Sequence, residues 1–168
     1  MRMDIDKILG GLCVEMRLIS ASDTISVMSE GTWLLKTAKW YDVILRIDID
    51  TIRKAVRLFV PDVDYRIDKF IQDDLITNRE LQARIIRRIV NTILSDTYTV
   101  DRRNIVGLYL VKMSMNIKDP LYVDFKVKIG HKGSISNNDR LSDTEALRRA
   151  LNDAELGVRV YYIRPSQD

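Results

Sequence analysis

The sequence has little of the chemistry that metal sites and nucleophilic catalysis need, with one cysteine and one histidine in 168 residues. A single cysteine, Cys13, excludes an intramolecular disulfide. A zinc site needs several His, Cys or carboxylate ligands that converge on one point. Cys13 lies in an alternating strand pattern and is interpreted as a packing residue, whereas His131 lies in a polar segment and is expected at the surface. We therefore predict no metal site and no cofactor.

Motifs that hold phosphates or activate a serine are also missing. The chain contains no Gly-x-x-x-x-Gly-Lys-Ser/Thr run, no Gly-x-Gly-x-x-Gly run and no Gly-x-Ser-x-Gly elbow. Nucleotide binding and a serine triad are therefore disfavoured. Together with the shortage of His and Cys, these absences predict a protein that is not an enzyme.

Long apolar runs, prolines and glycines are scarce as well. No stretch approaches the roughly 20 consecutive apolar residues that a membrane helix needs, and Met1–Lys7 lacks the apolar run of a secretory signal. Three prolines and seven glycines argue against a long linker. The chain is 46% hydrophobic and 30% charged, with a formal net charge of +3. This composition predicts a soluble globular protein without membrane contact, in a reducing compartment such as the cytoplasm.

Alternation of apolar and polar residues predicts several strands. In Leu121–Ile129 the apolar residues share one face, and the other face carries Tyr122, Asp124, Lys126 and Lys128. This pattern is typical of an antiparallel sheet with one face exposed to water. Other strands are predicted at Leu12–Leu18, Val43–Ile49, Asn104–Met115 and Val158–Ile163, with two short strands within Thr24–Lys36, a turn at Asn116–Pro120 and a polar loop at Gly130–Asn138.

Two amphipathic helices are predicted between and after these strands. The longer one follows Thr77-Asn78-Arg79-Glu80, which has the form of a capping box with Thr77 as the N-cap, and its apolar stripe continues to about Ser95. The shorter one begins at a second capping box, Ser142–Glu145, and ends at Gly157.

These elements predict an α+β fold in which an antiparallel β-sheet packs with one long and one shorter amphipathic helix. Residues 1–60 form a β-rich N-terminal portion, within the same domain or as a separate lobe, and residues 61–168 form the α+β core domain. Ile52–Val60 suits a helix by its spacing and a strand by its β-branched residues, so both interpretations stay open.

One pair of residues matches a catalytic arrangement. Asp124 and Lys126 lie two apart on a predicted strand and project to the same face, as in nucleases of the Asp/Glu-x-Lys type that hold a magnesium ion. Asp101 or Asp119 would supply a second carboxylate and Glu80 a third. The alternative is chance, because every amphipathic strand places polar residues at this spacing, and we favour that alternative.

Arginines are the remaining candidates for partner binding. Three of them share one side of the long helix and two follow it, namely Arg84, Arg87, Arg88, Arg102 and Arg103. Such a patch would meet phosphates, or it would face solvent or an acidic protein. Binding of single-stranded nucleic acid requires aromatic residues among the cations, and none interleave with these arginines. This favours a helix side that faces solvent or an acidic protein.

The stretch from Pro61 to Ile129 resembles the lysozyme-like baseplate wedge family of contractile phage tails. Pro61–Phe70 has the acidic, aromatic character of that family's first segment, Ile71–Ile76 precedes the capped long helix, and two antiparallel strands follow. At the end of the long helix, where the family carries Glu-Pro-Arg, this chain has Ser95-Asp96-Thr97.

The resemblance implies a small structural subunit of a virion that packs against other subunits, often by adding strands to a neighbour's sheet. Our first hypothesis is therefore a non-enzymatic assembly subunit of a large complex, a phage tail or baseplate component assembled in the host cytoplasm. Its contact surfaces would be the open strand face (Tyr122, Asp124, Lys126, Lys128) and the arginine side of the long helix. The alternatives are a nucleic-acid-associated accessory protein that uses the five arginines and a magnesium-dependent nuclease around Asp124.

Overall fold

The computed structural model describes residues 38–97, 99–116, 119–135 and 140–166. Cys13 and the strands predicted at Leu12–Leu18 and within Thr24–Lys36 lie outside these residues. The helices are α1 (Ile49–Phe59), α2 (Ile67–Asp73), α3 (Arg79–Ser95) and α4 (Asp143–Leu151). Short 3-10 helices lie at Pro61–Arg66, Leu75–Thr77 and Arg102–Asn104. The strands are β1 (Lys39–Asp48), β2 (Ile105–Asn116), β3 (Asp119–His131) and β4 (Val158–Pro165).

The four strands form one sheet in the order β2-β3-β1-β4, and each neighbouring pair is antiparallel. β2 and β3 form the hairpin that the sequence predicts, and the strands extend into the segment predicted as the turn, to Asn116 and from Asp119. β1 lies between β3 and β4 although it precedes both in the chain. The predicted α+β fold with an antiparallel sheet is confirmed.

Alternate residues of the strands point towards the helices and form the core. In the two central strands these buried residues are Tyr41, Val43, Leu45 and Ile47 of β1 and Val123, Phe125, Val127 and Ile129 of β3. They belong to one hydrophobic cluster with buried residues of all four helices, which together form the helix layer. Burial of each large apolar side chain contributes about 1.5–3 kcal/mol. Leu121, predicted for this face, is instead exposed near the start of β3.

α3 confirms the predicted long helix but begins with a different cap. The Asn78 side chain accepts a hydrogen bond from the Leu81 N–H at 3.0 Å. Thr77, the predicted N-cap, ends the preceding 3-10 helix, and its hydroxyl donates to the Asp74 carbonyl. Both residue types cap helices well. Asn78 is the N-cap because Thr77 still belongs to the preceding 3-10 helix. No helix in the described ranges is long and apolar enough to cross a membrane.

The ambiguous segment Ile52–Val60 belongs to helix α1. Asp48 ends β1 and caps this helix, because its carboxylate accepts from the Asp50 N–H at 2.8 Å. Ile52, Ala55 and Val56 are buried at helical spacing. Packing of this apolar stripe against the sheet outweighs the weak preference of β-branched residues for strands.

The structure describes residues 130–135 of the polar loop predicted at Gly130–Asn138, and these do not form a surface loop throughout. β3 continues to His131, and Ile135 is buried. The Asp143 carboxylate accepts hydrogen bonds from the Ser134 hydroxyl at 2.8 Å and the Ile135 N–H at 3.1 Å, which ties this segment to α4. The prediction of a surface histidine is therefore wrong: His131 follows the core-facing alternation of β3 and is 1% exposed.

α4 begins as predicted, with the Ser142 hydroxyl accepting from the Glu145 N–H at 3.2 Å. It ends at Leu151 with Asn152 as the C-cap, so the predicted end at Gly157 is wrong. Gly157 instead lies in the turn before β4 with φ +61°. This left-handed conformation is strained for residues that carry a side chain. A Cβ there would lie 2.5 Å from the Cβ of Asp48, so the turn also needs glycine for close approach.

Candidate functional site

The sheet face opposite the helix layer, here called the open face, carries the polar side chains of all four strands. Tyr122, Asp124, Lys126 and Lys128 of β3 lie on this face, as their alternation predicts, and each is exposed or half-buried. Their neighbours on β1 are Asp48, Arg46, Ile44 and Asp42, which lie directly opposite them. The face therefore combines charged, aromatic and apolar side chains over a rigid support.

Ion pairs neutralise two of the carboxylates on the open face. Asp124 accepts two hydrogen bonds from Arg46, from Nε at 2.9 Å and from Nη2 at 3.0 Å. Asp42 lies 3.5 Å from the Arg164 guanidinium and 3.9 Å from the Lys128 ammonium. Both carboxylate oxygens of Asp124 thus bind an arginine and are not free to bind a magnesium ion.

Cations outnumber carboxylates on this face. The register places three carboxylates there, Asp42, Asp48 and Asp124, and six cations, Arg46, Lys112, Lys126, Lys128, Arg159 and Arg164. Within the described ranges, Lys112, Lys126 and Arg159 make no ion pair. Lys112 and Lys126 lie directly opposite each other on β2 and β3. The open face therefore has an excess of positive charge, part of it on the adjacent strands β2 and β3.

Aromatic rings flank these cations. A bulge in β4 between its pairings with Ile44 and Leu45 allows two successive tyrosines, Tyr161 and Tyr162, to be exposed. The Arg46 guanidinium lies 4.5 Å from the Tyr161 ring centroid and the Arg164 guanidinium 5.5 Å from that of Tyr162. Sequence reasoning missed both tyrosines as binding residues, although the alternation of Val158–Ile163 contained a signal for Tyr161; Tyr162 reaches the open face only because of the bulge.

A pair of stacked aromatic rings lies at one end of the open face. The Trp40 and Tyr109 rings stack with centroids 5.1 Å apart and an interplanar angle of 12°. The Trp40 ring lies over Gly130, where a Cβ would meet its ring atoms at 2.6 Å. Glycine at this position therefore allows the indole to lie flat on the sheet.

Both edges of the sheet are blocked near their middle. At the β2 edge, Arg79 donates to the carbonyls of Leu110 and Val111, at a register shift in the strand. At the β4 edge, the Val160 N–H donates to the Asn152 side chain at 2.7 Å and the Val160 carbonyl accepts from Arg148 at 3.1 Å. Occupied edge groups hinder pairing with another strand, so strand addition, which the family resemblance implies, is obstructed at these positions.

The predicted arginine patch does not form a single exposed surface. Arg84 and Arg88 are exposed, but Arg87 is 5% exposed, so the prediction that all three share an open helix side is wrong. Burial, together with the nearby Arg84 charge, lowers the pKa of Arg87 to about 10. The other two arginines bind locally: Arg102 donates to Asn91 at 3.4 Å and Arg103 to Asp101 at 3.1 Å. Hydrogen bonds from Arg103 also lower the pKa of Asp101.

The other candidate catalytic groups are also separated. Glu80 lies on α3, on the opposite side of the sheet from Asp124. Desolvation lowers the pKa of buried His131, whose Nδ1 lies 3.2 Å from the Gly133 carbonyl. The side chain of Asp119 lies outside the described part of the structure. Among the described residues, no three His, Cys, Asp or Glu side chains are grouped as metal ligands.

A cleft lined by three other carboxylates is also occupied by internal contacts. It measures about 330 Å³ and lies between α1, α2 and the turn end of the hairpin. Two of its carboxylates, Asp50 and Asp68, bind the Arg53 guanidinium at 2.6 and 2.8 Å. Asp48, a third, caps α1. The cleft is therefore a junction between helices that ion pairs stabilise.

The outer surface of the helix layer exposes two large apolar side chains close together. Leu58 at the end of α1 is 62% exposed, and Tyr65 in the following 3-10 helix is 87% exposed. An ion pair of 2.6 Å between their chain neighbours Arg57 and Asp64 joins the two segments. The Arg84 guanidinium lies 5.9 Å from the ring centroid of half-buried Phe59. We call Leu58, Phe59, Tyr65 and Arg84 the helix-layer patch.

Comparison with known proteins found no matching protein-family model, no similar curated protein and no similar solved structure.

Proposed function

We propose that this chain is a non-enzymatic assembly subunit of a large protein complex, and specifically a component of a phage tail or baseplate. The observation that carries the proposal is the helix-layer patch. There, Leu58 and Tyr65 are exposed, and the Arg84 guanidinium lies over the ring of Phe59. Tyrosine and arginine are enriched among the residues that dominate protein–protein binding energy.

The composition of the patch favours a protein partner. Leu58, Phe59 and Tyr65 provide an apolar centre, and Arg84 is oriented by its contact with Phe59. An arginine that stacks on an aromatic ring loses little freedom on binding and can still meet a carboxylate with its planar donors. A partner that buries both exposed side chains would gain about 1.5–3 kcal/mol for each of them.

The assignment to a phage tail is supported by the order of elements. α3 leads through a short 3-10 helix into the β2-β3 hairpin, and the family resemblance implies the same order of long helix and antiparallel strands. The blocked edges at Val111 and Val160 favour contact through faces and not through added strands. The subunit would therefore dock by its helix-layer patch.

The proposal is tested by following the tagged full-length chain in cells that contain the whole assembly. We expect it to co-elute with a large particle in size-exclusion chromatography at a fixed stoichiometry. Leu58→Asp and Tyr65→Asp are expected to shift the chain to the elution volume of the free protein, because a buried, unpaired carboxylate opposes docking.

Leu121→Asp is the matched control, because Leu121 is 59% exposed and lies on the hairpin, outside the patch. It should leave incorporation unchanged, and circular dichroism should show that all three variants are folded. The proposal fails if the wild-type chain elutes only as the free protein, or if both patch variants are incorporated as well as the control.

A further inference from the structure

The open face carries, on the adjacent strands β2 and β3, a pair of like charges that the fold does not need. Lys112 and Lys126 lie directly opposite each other on adjacent strands, both exposed, and neither makes an ion pair within the described ranges. Like charges in such a position destabilise a sheet. A third cation, Lys128, follows Lys126 on the same face. An anion bound between these lysines would offset their repulsion.

Aromatic and apolar groups continue the same row across the sheet. From β4 to β2 the row consists of Tyr162, Ile44, Lys126 and Lys112. Strands lie about 4.8 Å apart, so the row spans about 14 Å. In the next row Arg159 lies opposite Arg46, beside the exposed ring of Tyr161. The two rows therefore carry tyrosine rings at the β4 edge and cations on all four strands.

We propose that the open face binds single-stranded nucleic acid. Lys112, Lys126 and Arg159 contact the phosphates, and the bases stack on Tyr161 and Tyr162. This combination of a positive track with exposed aromatic rings is how proteins hold single strands without reading their sequence. The function goes beyond the assembly role and uses the opposite side of the molecule from the helix-layer patch.

The composition of the face favours a nucleic acid over an acidic protein. Lysine is depleted in the cores of protein interfaces, and Lys112 and Lys126 adjoin each other on this face. The carboxylates that would repel phosphates are already paired, Asp124 with Arg46 and Asp42 with Arg164. The four-stranded face spans about 14 Å, more than the roughly 12 Å width of a duplex major groove, whereas the unstacked bases of a single strand are free to meet the tyrosines.

The test is fluorescence anisotropy of a labelled 20-nucleotide oligo(dT) with the full-length chain. With three phosphate contacts, the logarithm of the association constant should fall with the logarithm of salt concentration at a slope of about −2. Raising salt from about 50 to 200 mM should then weaken binding about 18-fold. For Lys112→Ala/Lys126→Ala, one contact remains and the same change should weaken binding only about 3-fold.

A matched double variant controls for net charge. Lys54→Ala/Lys69→Ala removes two exposed lysines from α1 and α2 in the helix layer and should keep the salt slope of the wild type. Tyr162→Ala should weaken binding roughly 5-fold or more without changing the slope, because stacking is lost. Tyr162→Phe should restore it. Leu58→Asp should bind oligo(dT) normally, so failure of the assembly proposal and failure of this one are separate outcomes.

Three results would overturn the inference. The first is no binding of oligo(dT) at about 50 mM salt, and the second is a slope that Lys112→Ala/Lys126→Ala leaves unchanged. The third is displacement of oligo(dT) by poly-glutamate at equal charge concentration, which would assign the face to an acidic protein. The alanine variants should fold, because they remove a repulsive pair, and thermal unfolding checks this.

Discussion

The two faces of the sheet are stabilised in different ways although they belong to the same strands. Towards the helix layer, residues such as Leu45 and Phe125 are apolar and fully buried. On the open face, their neighbours Arg46 and Lys126 are charged and reach solvent. Burial of apolar area holds the first face together, whereas half-exposed ion pairs contribute about 0–1 kcal/mol each. Apolar burial therefore stabilises one side of the sheet, whereas the other side leaves charged groups in contact with solvent.

The repulsive pair on the open face makes this difference clearer. Every core-facing position of the central strands supports folding, but Lys112 and Lys126 oppose each other at an energetic cost. A residue that lowers stability and remains on an exposed face is expected to serve binding. The predictions below test whether the two faces are as independent as this comparison implies.

The largest effect is expected on the core face. Phe125→Ala should lower the free energy of unfolding by about 3–5 kcal/mol, because it deletes a large, fully buried ring and leaves a cavity. Its chain neighbour on the open face provides the control: Lys126→Ala should change the same quantity by less than about 0.5 kcal/mol. Urea denaturation measures both. Similar values for the two variants would contradict the division between the faces.

A smaller, pH-dependent effect is expected at His131, which ends the core face of β3. Burial lowers its pKa below the usual value of about 6.5, despite the opposing charges of Asp101 and Asp143. As pH falls from about 7 to 5, the unfolded chain takes up a proton that the folded chain still excludes. The free energy of unfolding should therefore fall, by at most about 1.4 kcal/mol per pH unit from this group.

The variant His131→Gln isolates that contribution. It carries no titrating group at this position, so its free energy of unfolding should change less between about pH 7 and 5 than that of the wild type. The comparison is made by urea denaturation at several pH values above the range in which most carboxylates titrate. An identical pH dependence in the two proteins would show that His131 is not held neutral by burial.

The smallest effect is expected from reversing one charge on the open face. Lys126→Glu converts the cross-strand repulsion with Lys112 into an attraction and should raise the free energy of unfolding by about 0.2–1 kcal/mol. The same variant should lose affinity for oligo(dT), so stability and binding would change in opposite directions. Thermal unfolding and anisotropy test the two parts. A destabilised Lys126→Glu variant would mean that the lysine supports the fold.

The sequence predicts the local elements well, because their signals lie within a few neighbouring residues. The alternation in Leu121–Ile129 has the period of a strand and correctly places Lys126 and Lys128 on the exposed face. The stripe before Ser95 has the period of a helix, and α3 ends at that residue. Caps are less certain where two good candidates adjoin, as Thr77 and Asn78 do.

The positions of these elements relative to one another are decided only by the tertiary structure. Alternation predicts the open face for Lys126 within β3, but register shifts in β2 and β4 turn Lys112 and Tyr162 to that face, and strand pairing brings all three into one row. Arg87 has the same helical spacing as exposed Arg84, yet packing buries it, and the extension of β3 buries His131. Periodicity is a property of adjacent residues, whereas pairing and burial depend on contacts between distant ones. For that reason the sequence by itself determined local elements such as β3 and α3, and the folded chain decided which side chains share a surface.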